Sequence, residues 1–133
     1  MKIYIATRFH RKDEVKELMR LVEQRGHEIT TDWTEHKTMK RYTDNPKLAT
    51  RYAVEDVQGV KNCDVFVLLT TEDVGAGMHV ELGVAILSNE LFGRPKVYVV
   101  GEHFNNSVFY FHPCVNRRKS FEEVLEEIES IKN

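Results

Sequence analysis

Short apolar runs alternate along the chain with segments in which apolar residues recur at helical spacing. The runs are rich in β-branched and aromatic residues, which is typical of strands. The first of them is apolar at nearly every position, as expected for a strand buried on both faces. The predicted strands are Lys2–Ala6, His27–Trp33, Val65–Leu69 and Lys96–Val100, with a fifth near Val108–Phe111 in an otherwise irregular stretch from His103 to Arg118.

Four segments repeat apolar residues every three or four positions, which predicts helices. The first ends before Gly26, a residue type that often caps a helix C-terminus. Ser120 and Glu123 have the spacing of a capping box at the start of the last one. The predicted helices are Lys12–Arg25, Lys47–Asn62, Val80–Leu91 and Phe121–Ile131.

A polar stretch without periodicity, Thr34–Pro46, separates the second predicted strand from the second predicted helix. Its length suits a mobile loop over a binding site. A plain surface connection is the alternative, and it is the default for a polar segment. The sequence leaves both interpretations open.

The alternation of strands and helices predicts an α/β protein with a doubly wound parallel sheet, of the flavodoxin-like or Rossmann-like type. We expect five strands in the order 2-1-3-4-5, helices on both faces, and one domain over residues 1–133. Ligands bind such sheets beyond the carboxyl ends of the strands, where the strand order reverses. Two segments, Thr7–His10 and Thr70–Glu81, should therefore meet at one rim.

The second of these segments contains the sequence GAGMHVELG, from Gly75 to Gly83. Glycines at positions 75 and 77 let a ligand approach the backbone closely. Glu81 is expected in the first helical turn, where unpaired N–H groups and the helix dipole would keep its carboxylate ionised. An ionised carboxylate can act as a nucleophile. Simple complementation of the helix dipole is the alternative interpretation of Glu81.

A second carboxylate, Asp56, interrupts an apolar stripe formed by positions 49, 53 and 60 of the second predicted helix. A carboxyl group buried in that stripe would have a raised pKa and could donate a proton at neutral pH. Together with an ionised Glu81 it would form the nucleophile and acid pair of a retaining glycosidase. Alternatively the helix is rotated slightly, with Val57 inward and Asp56 at the boundary.

Two further residues in strands carry polar groups. Tyr4 is either a core residue or the donor of a hydrogen bond that orients Glu81, because a buried hydroxyl needs a partner. Asp64 opens the third strand at its amino end, far from the expected ligand edge, which favours a structural role.

Composition excludes several classes of function. The chain has 133 residues, 41% of them hydrophobic and 30% charged, with a net charge of −2. That balance argues against extended nucleic-acid binding, although Arg8 and His10 belong to a local basic cluster that could attract an anion. The apolar runs are too short to span a membrane, and the N-terminus does not resemble a signal peptide. Cys63 and Cys114 are expected to be free thiols of a cytoplasmic protein.

The histidines have no metal-ligand spacing, so neither a metal nor a cofactor is expected. His79, two residues before Glu81, either lines the pocket or caps the loop.

These residues together resemble the nucleoside 2-deoxyribosyltransferase family, which includes 2'-deoxynucleoside 5'-monophosphate N-glycosidases. The resemblance lies in Tyr4, in Asp56 eight residues before Asp64, and in the Gly-x-x-x-Glu-Leu-Gly element that contains Glu81. The segment His112–Val115, followed by a Ser-capped helix, is similar to the end of the family's sequences. The match covers nearly the whole chain.

The resemblance implies cleavage or transfer at the N-glycosidic bond of a nucleoside or its 5'-monophosphate. Glu81 would attack the anomeric carbon and form a covalent glycosyl-enzyme, Tyr4 would position Glu81, and Asp56 would assist departure of the base. Water as the acceptor gives a hydrolase, and a second base gives a transferase. The family's members assemble as homodimers or larger oligomers, which implies that residues from 103 to 118 complete a neighbouring site.

One position departs from the family pattern. Gly75 stands where the family has an Asp or Ser that binds the 5' end of the sugar, and Asp73 lies two residues earlier. The segment after the first strand, in which we expect substrate contacts, also differs. Its Arg8 and His10 favour a phosphate over a free hydroxyl group. The residues of that segment are Thr7, Arg8, Phe9 and His10.

Two other functions fit the same residues. The first is hydrolysis of a nicotinamide N-glycosidic bond of the NAD type, which a glutamate on a similar sheet can also perform. The second is a catalytically silent nucleotide-binding or sensor domain, because a fold does not fix a function. A flavodoxin-like electron carrier is less favoured, since no Ser-rich and Thr-rich phosphate loop follows the first strand.

Overall fold

Five parallel strands form one sheet in a computed structural model that describes residues 1–73 and 75–131. Their order is β2-β1-β3-β4-β5, and every neighbouring pair is parallel. The predicted fold class and strand order are therefore confirmed. The strands are β1 (Lys2–Ala6), β2 (Glu28–Ile29), β3 (Val65–Leu69), β4 (Lys96–Val100) and β5 (Val115–Arg118).

Helices cover both faces of the sheet. They are α1 (Lys12–Gln24), α2 (Pro46–Asn62), α3 (Ala76–Phe92) and α4 (Phe121–Ile131). The right-handed crossovers of parallel strands place α1 on the face opposite α2 and α3. Arg25, at the end of α1, makes a bidentate contact with Glu129 of α4, at 2.6 and 2.8 Å. Helices α1 and α4 thus share one face, and α2 packs against α3 on the other.

None of the helices in the described part of the chain has the length and apolar content that crossing a membrane would require.

The centre of the sheet brings the ends of β1 and β3 together. Tyr4 is in register with Phe66, and the two rings stack at 5.9 Å. At the carboxyl ends, the Thr7 hydroxyl donates a hydrogen bond to the carbonyl of Leu69 at 2.9 Å. The strand order reverses at this point, because β2 pairs with β1 on one side and β4 pairs with β3 on the other. The edge at which doubly wound sheets bind ligands therefore lies between the two segments that the sequence indicated.

The second strand is much shorter than predicted, since β2 contains only two residues. The chain leaves the sheet after β2 because the residues that follow form hydrogen bonds with side chains instead of with a neighbouring strand. Asp32 accepts hydrogen bonds from the backbone and hydroxyl of Thr34 and caps a 3₁₀ turn, Trp33–Glu35. The indole of Trp33 donates to the carbonyl of Ile5 at 2.6 Å, so this turn is fixed against β1.

The predicted fifth strand near Val108–Phe111 is wrong. This segment is a 3₁₀ turn capped by Ser107, and only Tyr110 of its residues is buried. The real fifth strand, β5, has the sequence VNRR and is partly exposed at every position. An edge strand of this composition lacks the apolar alternation by which strands are predicted.

Three helices have boundaries that differ from the prediction, and α3 also ends one residue later than predicted, at Phe92. Helix α1 ends one residue earlier than predicted, at Gln24. Helix α2 begins at Pro46, with the Asn45 side chain accepting from the backbone of Leu48. Proline is favourable at the first helical position because its missing N–H would be unpaired there anyway. Helix α3 begins at Ala76, four residues before the predicted start.

Large apolar side chains are exposed on the paired helices α2 and α3. Helix α3 carries them at i, i+7 and i+11, so they lie along one side of that helix. Between 39% and 65% of the surface of each of these residues is accessible. A helix that is apolar on its outer side as well as its inner side is typical of a buried position. We call this surface the α2–α3 face, and it consists of Val54, Val57, Val80, Leu87 and Leu91.

Candidate active site

A cleft opens at the carboxyl ends of β1 and β3, where the strand order reverses. It has a volume of about 470 Å³, and a side cavity of about 480 Å³ adjoins it. The residues that line both are Phe9, His36, Tyr42 and Asp56. The cleft is also lined by Thr7, Arg8, Trp33, Gly75, Ala76, Gly77, Met78 and Glu81.

Glu81 lies at the inner end of the cleft, on α3. The hydroxyl of Tyr4 donates a hydrogen bond to its Oε2 atom, which is the contact that the position of Tyr4 in the first strand predicted. This bond joins the centre of the sheet to the helix, and it fixes one carboxylate oxygen of Glu81. The ring of Phe66, on the neighbouring strand, stacks against the ring of Tyr4 and holds it in place.

The ionisation of Glu81 differs from the prediction. Because α3 starts at Ala76, Glu81 lies beyond the first helical turn and receives little from its unpaired N–H groups. The pKa of Glu81 is raised to about 8, chiefly by burial; the hydrogen bond from Tyr4 lowers it, and the negative charge of Asp56 adds a smaller rise. The expected position of Glu81 in the first helical turn is therefore wrong, and burial opposes the ionised form that the sequence predicted.

Burial also raises the pKa of the Tyr4 hydroxyl, and the neighbouring carboxylates of Glu81 and Asp56 add to the effect. The phenol therefore stays protonated. A group that cannot ionise in the working range remains a constant hydrogen-bond donor to Glu81.

Asp56 lies half-buried on α2, on the wall shared by the cleft and the side cavity. Burial raises its pKa to about 6, against the lowering effect of His36. The direction of this change is the one predicted. The alternative with Val57 turned inward is wrong, because 39% of Val57 is exposed. Of the positions in the predicted stripe, only Val60 is buried in the core.

Aromatic side chains form the outer walls, and of these the sequence indicated only Phe9 as a substrate contact. Phe9 packs against Trp33 with ring centroids 6.1 Å apart. His36 stacks on Tyr52 at 3.8 Å with the rings nearly parallel. Tyr42 lines both cavities and is 74% exposed, so its ring is available to a ligand. Such walls suit a planar heterocycle, because aromatic rings stack on its face.

Arg8 occupies the space beside Gly75. A Cβ atom at position 75 would lie 3.1 Å from Cγ of Arg8, so a larger residue here would require the Arg8 side chain to shift by a few tenths of an ångström. The guanidinium of Arg8 contacts the carbonyl of Asp73 at 3.5 Å. Asp73 itself is exposed and does not line the cleft, so the shifted register that its position suggested is not seen. The cleft therefore has the positively charged Arg8 side chain beside position 75, at which the resembled family has an Asp or Ser.

Two predicted substrate contacts lie elsewhere. His10 is exposed and is not part of the cleft wall. His79 lies behind the loop, where its Nδ1 atom donates to the carbonyl of Gly75 at 2.9 Å and its Nε2 atom accepts from the Tyr110 hydroxyl at 3.0 Å. Of the two roles considered for His79, the geometry corresponds to the loop cap. Gly77 lines the cleft, and a side chain at this position would extend into open space.

The arrangement brings two carboxyl groups with raised pKa values, a fixed phenol and an arginine to one aromatic-walled cleft. One carboxyl can attack an electrophilic carbon while the other delivers a proton, which is the chemistry of retaining glycosyl transfer. Among residues 1–73 and 75–131, no three His, Cys, Asp or Glu side chains are grouped closely enough to hold a metal ion.

Comparison with protein-family models and with curated proteins found no match for this sequence. Among solved structures, the chain is similar to the CMP N-glycosidase BcmB of Clostridium botulinum, with a TM-score of 0.58 and 17% sequence identity. The alignment covers 97% of this chain and 99% of that one. The two proteins therefore share a fold over their whole lengths, and that fold is one on which an N-glycosidase is built.

Proposed function

We propose that this protein cleaves or transfers at the N-glycosidic bond of a nucleoside 5'-monophosphate through a covalent intermediate on Glu81. The observation that carries the proposal is the hydrogen bond from Tyr4 to Glu81 in a cleft that also contains Asp56. The likeness to a CMP N-glycosidase supports the same chemistry. Retaining glycosyl transfer needs one carboxylate nucleophile and one carboxylic acid, and the cleft offers both.

The reaction has two balanced steps. In the first, Glu81 as the carboxylate attacks the anomeric carbon while the carbon–nitrogen bond breaks. The bonding electrons go to the base nitrogen, which takes the proton of Asp56. In the second, water or an acceptor base gives a proton to Asp56 and displaces Glu81 from the sugar. The site returns to its starting state, and hydrolysis consumes one water.

The reaction requires the proton on Asp56 and not on Glu81. Burial favours the opposite distribution in the free protein, since it raises the pKa of Glu81 more than that of Asp56. A bound substrate reverses the preference, because positive charge that develops at the anomeric carbon stabilises the Glu81 carboxylate.

Arg8 favours a phosphorylated substrate. Its guanidinium lies on the cleft wall beside Gly75, where no side chain separates it from a ligand. A guanidinium binds phosphate through two parallel hydrogen bonds, and it has no comparable partner in a free 5'-hydroxyl group. The expected substrate therefore places its phosphate at Arg8 and its base between Phe9 and Tyr42.

Chromatography of the free base tests this function. The panel consists of deoxyribo- and ribonucleosides, their 5'-monophosphates and NAD, each with and without an added acceptor base. Release from monophosphates supports the proposal, and products formed with the acceptor would identify a transferase. Nicotinamide release from NAD alone would favour the NAD-type reaction. No release from any compound by the folded protein would contradict an enzymatic role. It would favour the alternative function of a catalytically silent nucleotide-binding or sensor domain.

Removing the guanidinium should change substrate preference. Arg8→Ala is expected to raise KM for a 5'-monophosphate about 10- to 100-fold and to leave KM for the matching nucleoside unchanged, since a hydrogen bond to a charged group contributes about 1.5–3 kcal/mol. Arg20→Ala is the control, because Arg20 is an exposed residue of α1 that pairs with Glu17. An equal change for both substrates would show that Arg8 does not bind the phosphate.

The proposal includes a homo-oligomer that buries the α2–α3 face. A second copy of the chain offers the same uncharged surface, as a two-fold interface requires. Leu87→Asp is therefore expected to give a monomer in light-scattering chromatography, while Gln24→Asp on α1 should leave the wild-type mass unchanged. A monomeric wild type would contradict this part of the proposal.

A further inference from the structure

His36 lies between two carboxyl groups. Its Nε2 atom is 3.4 Å from Oε2 of Glu55 and 3.9 Å from Oδ1 of Asp56. The side chain of Glu55 is 45% exposed, that of Asp56 is 28% exposed, and that of His36 only 13%. The imidazole thus connects a carboxylate in solvent with the half-buried carboxyl of the cleft.

Tyr52 holds His36 in this position. The two rings stack at 3.8 Å with an angle of 7° between their planes. The Tyr52 hydroxyl also accepts a hydrogen bond from the backbone N–H of Lys37 at 2.8 Å, so the residue after His36 is attached to the same side chain. The imidazole is consequently fixed at two points, although it belongs to a long connection between β2 and α2.

The Oδ1 atom of Asp56 needs a partner. It is buried and has no hydrogen-bond partner within the part of the chain that the structure describes. A buried carboxylate oxygen without a partner costs free energy, and the cost is greatest when the group is ionised. A group that can donate to it is Nε2 of His36, which lies at an ion-pair distance of 3.9 Å, beyond the range of a direct hydrogen bond.

We infer that His36 is a positioning residue for Asp56, and that it carries a proton between the Asp56 carboxyl group and solvent at Glu55. The inference rests on the proposed function, in which Asp56 gives up a proton as the base departs. Before the first step, the protonated imidazole donates its Nε2 proton to the Asp56 carboxylate, becomes neutral, and regains a proton from solvent on the side of Glu55. Asp56 gives this proton to the departing base and recovers one from the water or acceptor base in the second step, so the cycle closes without a further proton. Histidine is the side chain suited to such exchange near neutral pH.

The charged groups around His36 determine whether a substitution near it raises or lowers the pKa of Asp56. Asp56 faces it from the cleft side, and Glu55 faces it from the solvent side. Arg51 pairs with Glu55 at 3.4 Å, one helical turn away. Glu35, the residue before His36, points to Lys16 of α1 at 2.9 Å. Glu81 is near enough to Asp56 for their negative charges to interact.

The first test needs no substrate and measures the titration of the Asp56 carboxyl carbon by NMR. The positive charge of His36 lowers the pKa of Asp56, and the negative charge of Glu55 raises it. His36→Phe keeps a ring stacked on Tyr52 and should raise this pKa by about 1. Glu55→Gln should lower it. Glu35→Gln is the matched control, and it should leave the pKa unchanged.

The second test compares two leaving groups. With an ordinary base, which must be protonated to depart, His36→Phe should lower kcat about tenfold and change KM less than about twofold. With an N7-methylated purine, which leaves as a neutral base without taking a proton, kcat should equal that of the wild type. His36→Gln, which keeps a donor near Asp56 but cannot carry a proton, replaces the Phe variant if the latter does not fold.

An unchanged Asp56 titration in His36→Phe would overturn the inference, whether or not the wild type releases any base. An equal loss of kcat with both leaving groups would also overturn it, because it would indicate a structural role. Failure of the proposed function appears separately, as an inactive wild type whose Asp56 titration still responds to His36.

Discussion

Glu81→Gln should lower kcat for base release about 10⁴- to 10⁶-fold, the scale of loss seen when one member of a catalytic unit is removed. Glutamine keeps the size of the side chain and can still pair with the hydroxyl of Tyr4. It cannot form a glycosyl ester with the anomeric carbon. The measurement is base release by chromatography, and Glu90→Gln is the matched control. Glu90 is on the same helix, is exposed, and pairs with His112 away from the cleft.

Mass spectrometry distinguishes a nucleophile from a residue that only binds substrate. Rapid quenching of the wild type during turnover should give a sugar phosphate attached to the peptide that contains Glu81, and Glu81→Gln should give none. A modified peptide in the glutamine variant, or one that lacks position 81, would assign the nucleophile elsewhere.

The same substitution should stabilise the fold at alkaline pH. The pKa of Glu81 is raised from 4.5 to about 8 by burial, so between these values the folded chain holds a proton that the unfolded chain has released. Wild-type stability therefore falls as pH rises through this range, and the loss persists above it. Glutamine does not titrate. The Tm of Glu81→Gln should exceed that of the wild type near about pH 9, and the difference should shrink near about pH 5.

The strands at the centre of the sheet could be predicted because their successive residues share the same buried environment. Every residue of β3 is buried, and β4 is buried in all but its first residue, so only apolar side chains fit. The strands at the edges lack this constraint. One is two residues long and the other is the polar VNRR, and tertiary pairing rather than pattern makes them strands.

The residues of the candidate site also fall into those that the sequence predicts and those that it does not. Tyr4, Asp56 and Glu81 follow from their places on regular elements, since strand ends and helix faces converge in a known manner. His36 and Tyr42 lie in a segment without periodicity, so nothing in the sequence indicates which of its side chains turn inward. The pKa of Glu81 could not be predicted either. It depends on how far the packed helix and sheet exclude water, which only the folded structure determines.

Asp56→Asn should lower kcat for an ordinary base about 10²- to 10⁴-fold, the contribution of a general acid. Asparagine fills the same space beside His36 but has no proton to give. The loss should be much smaller for an N7-methylated purine, which departs without one. A matched control is Asp44→Asn, because Asp44 is an exposed carboxylate that pairs with Arg41 outside the cleft.

The pH profile of kcat/KM should change shape in the same variant. In the wild type the pair of carboxyls must hold one proton, with Asp56 protonated and Glu81 ionised, so activity falls on both sides of a maximum. Without Asp56 only Glu81 must ionise, and activity should rise through the pKa of Glu81 and then stay level. The alkaline limb is thus expected to disappear. If both limbs persisted in Asp56→Asn, another group would be the acid, because removing a group that supplies no proton leaves the proton requirement intact.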